Sequence, residues 1–97
     1  MNIHLKLYGV FRTATKTNEI TVEIPQKNPT VRSVLSQLAS KKEFESLKQL
    51  LLENATADPR PNALIMVSGR EISALNGLET TVSENDELAL LPIAHGG

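Results

Sequence analysis

Cysteine and tryptophan are both absent from the 97 residues, and the aromatics amount to two phenylalanines and one tyrosine. Without cysteine there is no disulfide framework, no thiolate-held zinc or iron–sulfur cluster, and no thiol nucleophile. Neither charge sign dominates: ten Lys and Arg face eleven Asp and Glu, a formal net charge of −1. A nucleic-acid binder normally carries a basic excess that neutralises phosphates, whereas Lys41-Lys42 is the one adjacent basic pair here. Long apolar runs are missing as well. The longest, Leu88 to Ala94 counting Pro92, falls far short of the roughly 20 residues that a membrane span needs. Met1-Asn2-Ile3-His4-Leu5-Lys6 shows no basic stretch ahead of an apolar one, as a secretory signal would. The expectation is therefore a soluble, cytoplasmic protein without direct nucleic-acid or membrane contacts. Histidine is also scarce: His4 and His95 sit at opposite ends of the chain with no clear third ligand, so no metal site is expected.

What is present suffices for one domain. With 40% hydrophobic residues, a chain of this length should bury about 60–70% of the surface it exposes when unfolded. Ile3, Leu5 and Leu7 alternate with Asn2, His4 and Lys6, the period of a half-buried strand, and the run is read through Tyr8 to Val10. After a polar stretch over 12–18, read as a loop, Ile20, Val22 and Ile24 alternate with Glu19, Thr21 and Glu23. Two such runs joined by a polar loop predict an antiparallel hairpin, which Pro25 ends because it cannot donate to the ladder.

Val31, Val34, Leu35 and Leu38 then fall at i, i+3, i+4 and i+7, one apolar stripe of a helix, with Thr30 as its N-cap. Ser40-Lys41-Lys42-Glu43 matches a capping box. Phe44, Leu47 and Leu51 repeat the helical spacing, giving a second helix over about 41–53 stopped at Asn54, or else one helix kinked near Ser40. Asp58-Pro59-Arg60-Pro61 breaks the pattern. Leu64-Ile65-Met66-Val67 reads as a strand, Ser68-Gly69-Arg70-Glu71 as a tight turn, and Ile72 as the start of a return strand. Asn76-Gly77 and Ser83-Glu84-Asn85-Asp86 mark turns, Asp86 stabilising the latter. Glu87-Leu88-Ala89-Leu90-Leu91 is apolar at consecutive positions and so suits a central strand.

This order predicts an α+β fold of β-grasp type: a mixed sheet of about five strands gripping one main helix, the last strand parallel to the first. Residues 1–92 would form the domain and 93–97 a tail. That tail ends Ala94-His95-Gly96-Gly97. Two glycines lack Cβ atoms, so the backbone can thread a narrow channel, and a terminal carboxylate is ionised at neutral pH. An ATP-using partner could convert that poor electrophile into an acyl-adenylate open to attack by a thiol, sulfide or amine. No nucleophile–base pair or metal constellation marks the chain itself as an enzyme.

The closing segment, Asn85-Asp86-Glu87-Leu88-Ala89-Leu90-Leu91-Pro92-Ile93-Ala94-His95-Gly96-Gly97, resembles that of the MoaD/ThiS family of ubiquitin-like sulfur carriers. Met66-Val67-Ser68-Gly69-Arg70-Glu71 and Tyr8-Gly9-Val10-Phe11-Arg12 resemble the family's hairpin and the end of its first strand. Asn85 stands where the family usually has glycine, Leu90-Leu91 where the molybdopterin-synthase small subunit has paired phenylalanines, and Ile93 where that subunit often has a second proline. His95 before the glycines resembles the ending of ubiquitin-related modifiers.

The resemblance implies that an activating enzyme adenylates Gly97 with ATP and magnesium, and that a persulfide donor then yields a thiocarboxylate. The sulfur would pass to molybdopterin, through a molybdopterin-synthase large subunit, to a thiolated tRNA base through a tRNA thiolase, or to a thiazole. Alternatively the activated Gly97 would be joined to lysines of target proteins. Two other readings stand beside it: the small subunit of a molybdopterin synthase heteromer, and a β-grasp interaction module without carrier chemistry. Candidate docking residues are Leu91, Pro92, Ile93, Ala94 and His95, with Phe11 and Arg70. Phe11 is open between contact and core, and Arg70 and Arg12 between acidic partner surfaces and solvent. Because Leu88 and Leu90 oppose Leu91 and Ile93 across the last strand, one helix cannot cover both sets. An outward apolar patch beside the tail follows.

Overall fold

The computed structural model describes residues 1–52, 58–84 and 86–93. The stop at Asn54, the turn position Asn85 and the tail residues Ala94, His95, Gly96 and Gly97 lie outside them. The described strands are β1 (Asn2–Leu7), β2 (Glu19–Glu23), β3 (Ala63–Val67), β4 (Arg70–Glu71) and β5 (Glu87–Pro92). They form one sheet in the order β2-β1-β5-β3-β4. β1 and β5 are parallel, with Leu5 opposite Leu88 and Leu7 opposite Leu90; the other pairs are antiparallel. The expected β-grasp topology is present, and the consecutive apolar residues of β5 reflect its central place.

One sheet face carries the core. Ile3, Leu5, Leu7, Ile65, Leu88 and Leu90 are essentially inaccessible, and α2 (Val31–Ala39) lays Val31, Val34, Leu35 and Leu38 into the same cluster. Thr30 caps α2 as its position predicts, its hydroxyl accepting from the Ser33 amide at 3.1 Å.

Four local expectations need correction. Strand β1 stops at Leu7, and residues 9–15 form a short helix, α1 (Gly9–Thr15), in place of a strand end and a loop. Seven residues are too few for a 3.6-residue period to show, and isolated helices of that length are marginal. Tertiary anchoring holds this one, because Phe11 is buried at 1% exposure. The capping box at Ser40 does not form. Ser40 instead closes α2, its amide donating to Ser36 and its hydroxyl to the Gln37 carbonyl at 2.7 Å. The second helix is accordingly shorter: a 3-10 turn over Lys42–Phe44 leads into α3 (Glu45–Leu51). Finally, the hairpin after β3 turns on Ser68-Gly69 alone, both at positive φ, the backbone that a two-residue turn requires. The return strand β4 is therefore Arg70–Glu71, and Ile72 begins a 3-10 turn.

Asp86 ties that hairpin to the start of β5. Its carboxylate accepts from the Ser83 amide at 2.8 Å and from the Ser68 hydroxyl at 2.9 Å. The Ser68 hydroxyl in turn accepts from the Glu87 amide at 3.2 Å. Asp86 thus braces its own turn, as expected, and also a second one. Replacing Asp86 with Ala should cost about 1–2 kcal/mol, the range for a pair of partly solvated hydrogen bonds to a charged acceptor. Urea unfolding should show a lower midpoint at unchanged slope.

Candidate functional site

The site is the end of the sheet at which β1 finishes, β3 begins and β5 runs out toward residues 94–97. Strand alternation decides what faces outward there. Leu88 and Leu90 of β5 and Ala63, Ile65 and Val67 of β3 point into the core, so Ala89, Leu91, Leu64 and Met66 point the other way. Leu64 pairs with Leu91 and Met66 with Ala89. Tyr8 continues the outward parity of His4 and Lys6 and is 43% exposed; Leu64 is 36% and Ile93 39% exposed, and Val10, on α1, 52%.

The outward face is therefore apolar at this end and polar at the other. At the far end lie His4, Thr21 and Glu87, with Lys6 reaching Glu87 at 3.4 Å. The expected patch is present around Leu91 and Ile93, and it is broader than the sequence suggested. Tyr8, Leu64 and Met66 join it by strand parity. Their signal was available in part, since Leu64-Ile65-Met66-Val67 is apolar at both parities.

Two backbone hydrogen bonds hold the root of the tail. The Tyr8 amide donates to the Leu90 carbonyl at 3.2 Å, on one side of β5. On the other side the Ile93 amide donates to the Asn62 carbonyl at 3.1 Å, so the ladder extends one residue past Pro92. Asn62 is itself buried and fixed: its amide donates to the Pro59 carbonyl at 3.0 Å and its Nδ2 to the Leu51 carbonyl at the end of α3, also at 3.0 Å. Pro92 lies exposed against Gly9, the first residue of α1.

Beside this loop the Arg60 guanidinium grips Asp58, with Nη2 at 2.6 Å, and its hydrogen bonds hold the Asp58 carboxyl below the usual carboxylate range. A lowered folded value means that the stabilisation is present above the unfolded pKa and fades as pH falls through the folded one. An Asp58→Asn variant should thus lose a small part of the wild-type decline in stability below about pH 4, as read by acid titration of the thermal midpoint.

Two predicted docking residues do not belong to this surface. Phe11 is core, packed beneath α1, and cannot reach a partner. Arg70 is exposed, but it opposes Val67, at the end of β3 remote from the Ala63–Pro92 pair. Leu91, Pro92 and Ile93 lie at this end of the sheet, Leu91 half-buried and the other two exposed. The remaining members of the predicted site, Ala94, His95, Gly96 and Gly97, lie outside the described residues.

One hydroxyl–imidazole–carboxylate grouping lies at the other end of the face. His4 Nδ1 lies 3.3 Å from the Thr21 hydroxyl and 3.7 Å from Glu19 Oε1. Both contacts use the same ring nitrogen, so the trio cannot relay a proton as a hydroxyl–imidazole–carboxylate triad does through opposite nitrogens. Among the described residues no group of three His, Cys, Asp or Glu is placed to hold a metal, and no helix is long and apolar enough to cross a membrane.

Comparison with known proteins agrees with this architecture. The sequence profile of the ThiS family matches residues 5–97. Small archaeal modifier protein 3 of Haloferax volcanii is 27% identical over 97 residues, covering all of both chains. The solution structure of small archaeal modifier protein 1 from Methanosarcina acetivorans superposes with a TM-score of 0.77 at 27% identity, covering 99% of this chain and 96% of that one. The crystal structure of the BexX/CysO complex from Amycolatopsis orientalis contains a chain with the same fold, at a TM-score of 0.68 and 22% identity, covering 98% and 99%. The chain belongs to the ThiS family, whose members are small ubiquitin-like carriers and modifiers.

Proposed function

We propose, from its membership of the ThiS family, that this protein carries sulfur on the carboxylate of Gly97. An activating enzyme joins that carboxylate to the AMP portion of ATP·Mg²⁺ and releases pyrophosphate. The terminal sulfur of a donor's persulfide then attacks the acyl carbon, expelling AMP and forming an acyl disulfide with the donor. A thiol of the sulfur-transfer machinery, the two-electron reductant, attacks the donor-side sulfur of that bond, becoming a disulfide and releasing the thiocarboxylate for an acceptor enzyme such as a molybdopterin-synthase large subunit or a tRNA thiolase. The chain supplies the carbonyl and a handle; the partner supplies nucleotide, metal and acid–base groups. The observation that carries this reading is the coincidence of place. The outward apolar residues Tyr8, Leu64, Leu91 and Ile93 gather at the one end of the sheet from which the chain runs on to Gly96-Gly97. An exposed apolar patch on a small domain favours burial against another protein, and here such burial sets the terminus beside the docked surface.

The test is ATP–pyrophosphate exchange by an activating enzyme of the same cell, which should depend on added protein and saturate with it. Exchange that ignores the protein contradicts the reading. A second fate is supported by the 27% identical relative, a small archaeal modifier protein: the same adenylate, attacked by a lysine amine, gives an isopeptide. Lysines bearing Gly-Gly remnants in digests of the native cells would register it.

A further inference from the structure

Gly9 and Pro92 meet more closely than any side chain at position 9 would permit. Gly9 has φ +54, and a Cβ built on it falls 2.6 Å from Pro92 Cγ and 3.2 Å from Pro92 Cδ. Real Cβ atoms do not approach carbon so closely, so something must move if one is added. Gly9 is held from both sides. The Tyr8 amide is bonded to Leu90, the Tyr8 carbonyl accepts from Phe11 at 3.1 Å and Arg12 at 3.4 Å, and Phe11 is locked in the core. Pro92 is the exposed last residue of β5, followed by a single ladder bond at Ile93. The proline is the part that yields.

We infer that Gly9 is a positioning residue for the chemistry at Gly97. Its missing side chain seats Pro92 against the first turn of α1 and thereby sets the direction in which the chain leaves the docking face. This rests on the carrier function proposed above. Residues 94–97 can reach at most about 14 Å when extended. So short a stalk leaves little slack once Leu64, Leu91 and Tyr8 are seated on a partner. A misdirected root therefore places the carboxylate off the nucleotide, and a misplacement of about 1 Å can cost about 100-fold in rate.

The experiment compares wild type, Gly9→Ala, Pro92→Ala and the double variant in pyrophosphate exchange. Gly9→Ala should lower kcat at least tenfold with KM changed less than threefold, because the docking face is intact. Against Pro92→Ala, where the ring is gone, the added Gly9→Ala change should cost less than threefold in kcat, although the strain of alanine at positive φ persists in the thermal midpoint. A purely structural role for Gly9 would lower stability and activity together in both backgrounds. Gly9→Asn, whose side chain tolerates positive φ yet begins with the same carbon, serves if the alanine variant unfolds, and should show the same kcat loss. Unimpaired kcat in Gly9→Ala or Gly9→Asn, or an equal loss in both backgrounds, overturns the inference while wild-type exchange leaves the carrier reading standing. Absence of wild-type exchange overturns both.

Discussion

A protein extended by one bulky residue beyond Gly97 should lose pyrophosphate exchange altogether, at least a thousandfold below wild type, while its unfolding curve stays the same. The size of the effect follows from what the proposed reaction uses. In the exchange reaction an oxygen of the terminal carboxylate attacks the α-phosphorus of ATP and pyrophosphate leaves, so that oxygen has to lie against the α-phosphate. A single added residue moves the carboxylate by about 3.5 Å, further than any reacting pair tolerates. The last ladder bond among the described residues is at Ile93, and a residue added after Gly97 touches none of the described contacts. Retained exchange in the extended protein would mean that the carbonyl at Gly97 is not the group activated.

A nearly as large effect is expected from charge on the outward face. Leu64→Glu and Leu91→Glu place a carboxylate where the proposed partner buries an apolar side chain, the two residues being directly paired across β3 and β5. Central apolar anchors in interfaces are worth about 2 kcal/mol or more, so each change should weaken association with the activating enzyme by at least about 30-fold. Leu64 is 36% exposed and Leu91 half-buried in the free protein, so the fold should survive with a modest fall in midpoint. A matched Thr21→Glu charge, on the polar end of the same face, should leave association within about threefold. Calorimetric titration separates the outcomes. Equal effects at the two ends would point to general electrostatics, and no effect at Leu64 or Leu91 would remove the docking face.

Much of this was legible before any coordinates. The stripe from Val31 to Leu38 and its Thr30 cap are local signals, complete within ten residues, and they formed as the spacing requires. The place of β5 was legible because consecutive apolar residues have few other uses in a small sheet. The corrections share a physical origin. Residues 9–15 are helical because tertiary contacts at Phe11 hold them, and a single buried aromatic leaves no periodic trace. Ser40 had two possible partners for its hydroxyl, and the end of α2 claimed it before a new helix did. The patch was half visible, since the outward parity of Leu64 depends on a register that only the pairing with Leu91 defines. The closeness of Gly9 to Pro92 joins residues at opposite ends of the chain, and no short-range pattern records it.

Gly97 is the proposed bearer of sulfur. The most direct test of that proposal is the intact mass of the purified protein after incubation with activating enzyme, ATP·Mg²⁺, a persulfide donor and a thiol reductant. A gain equal to the exchange of one oxygen for sulfur, localised to the C-terminal peptide and absent without ATP, is the predicted result. An unchanged mass alongside demonstrable adenylation would contradict it.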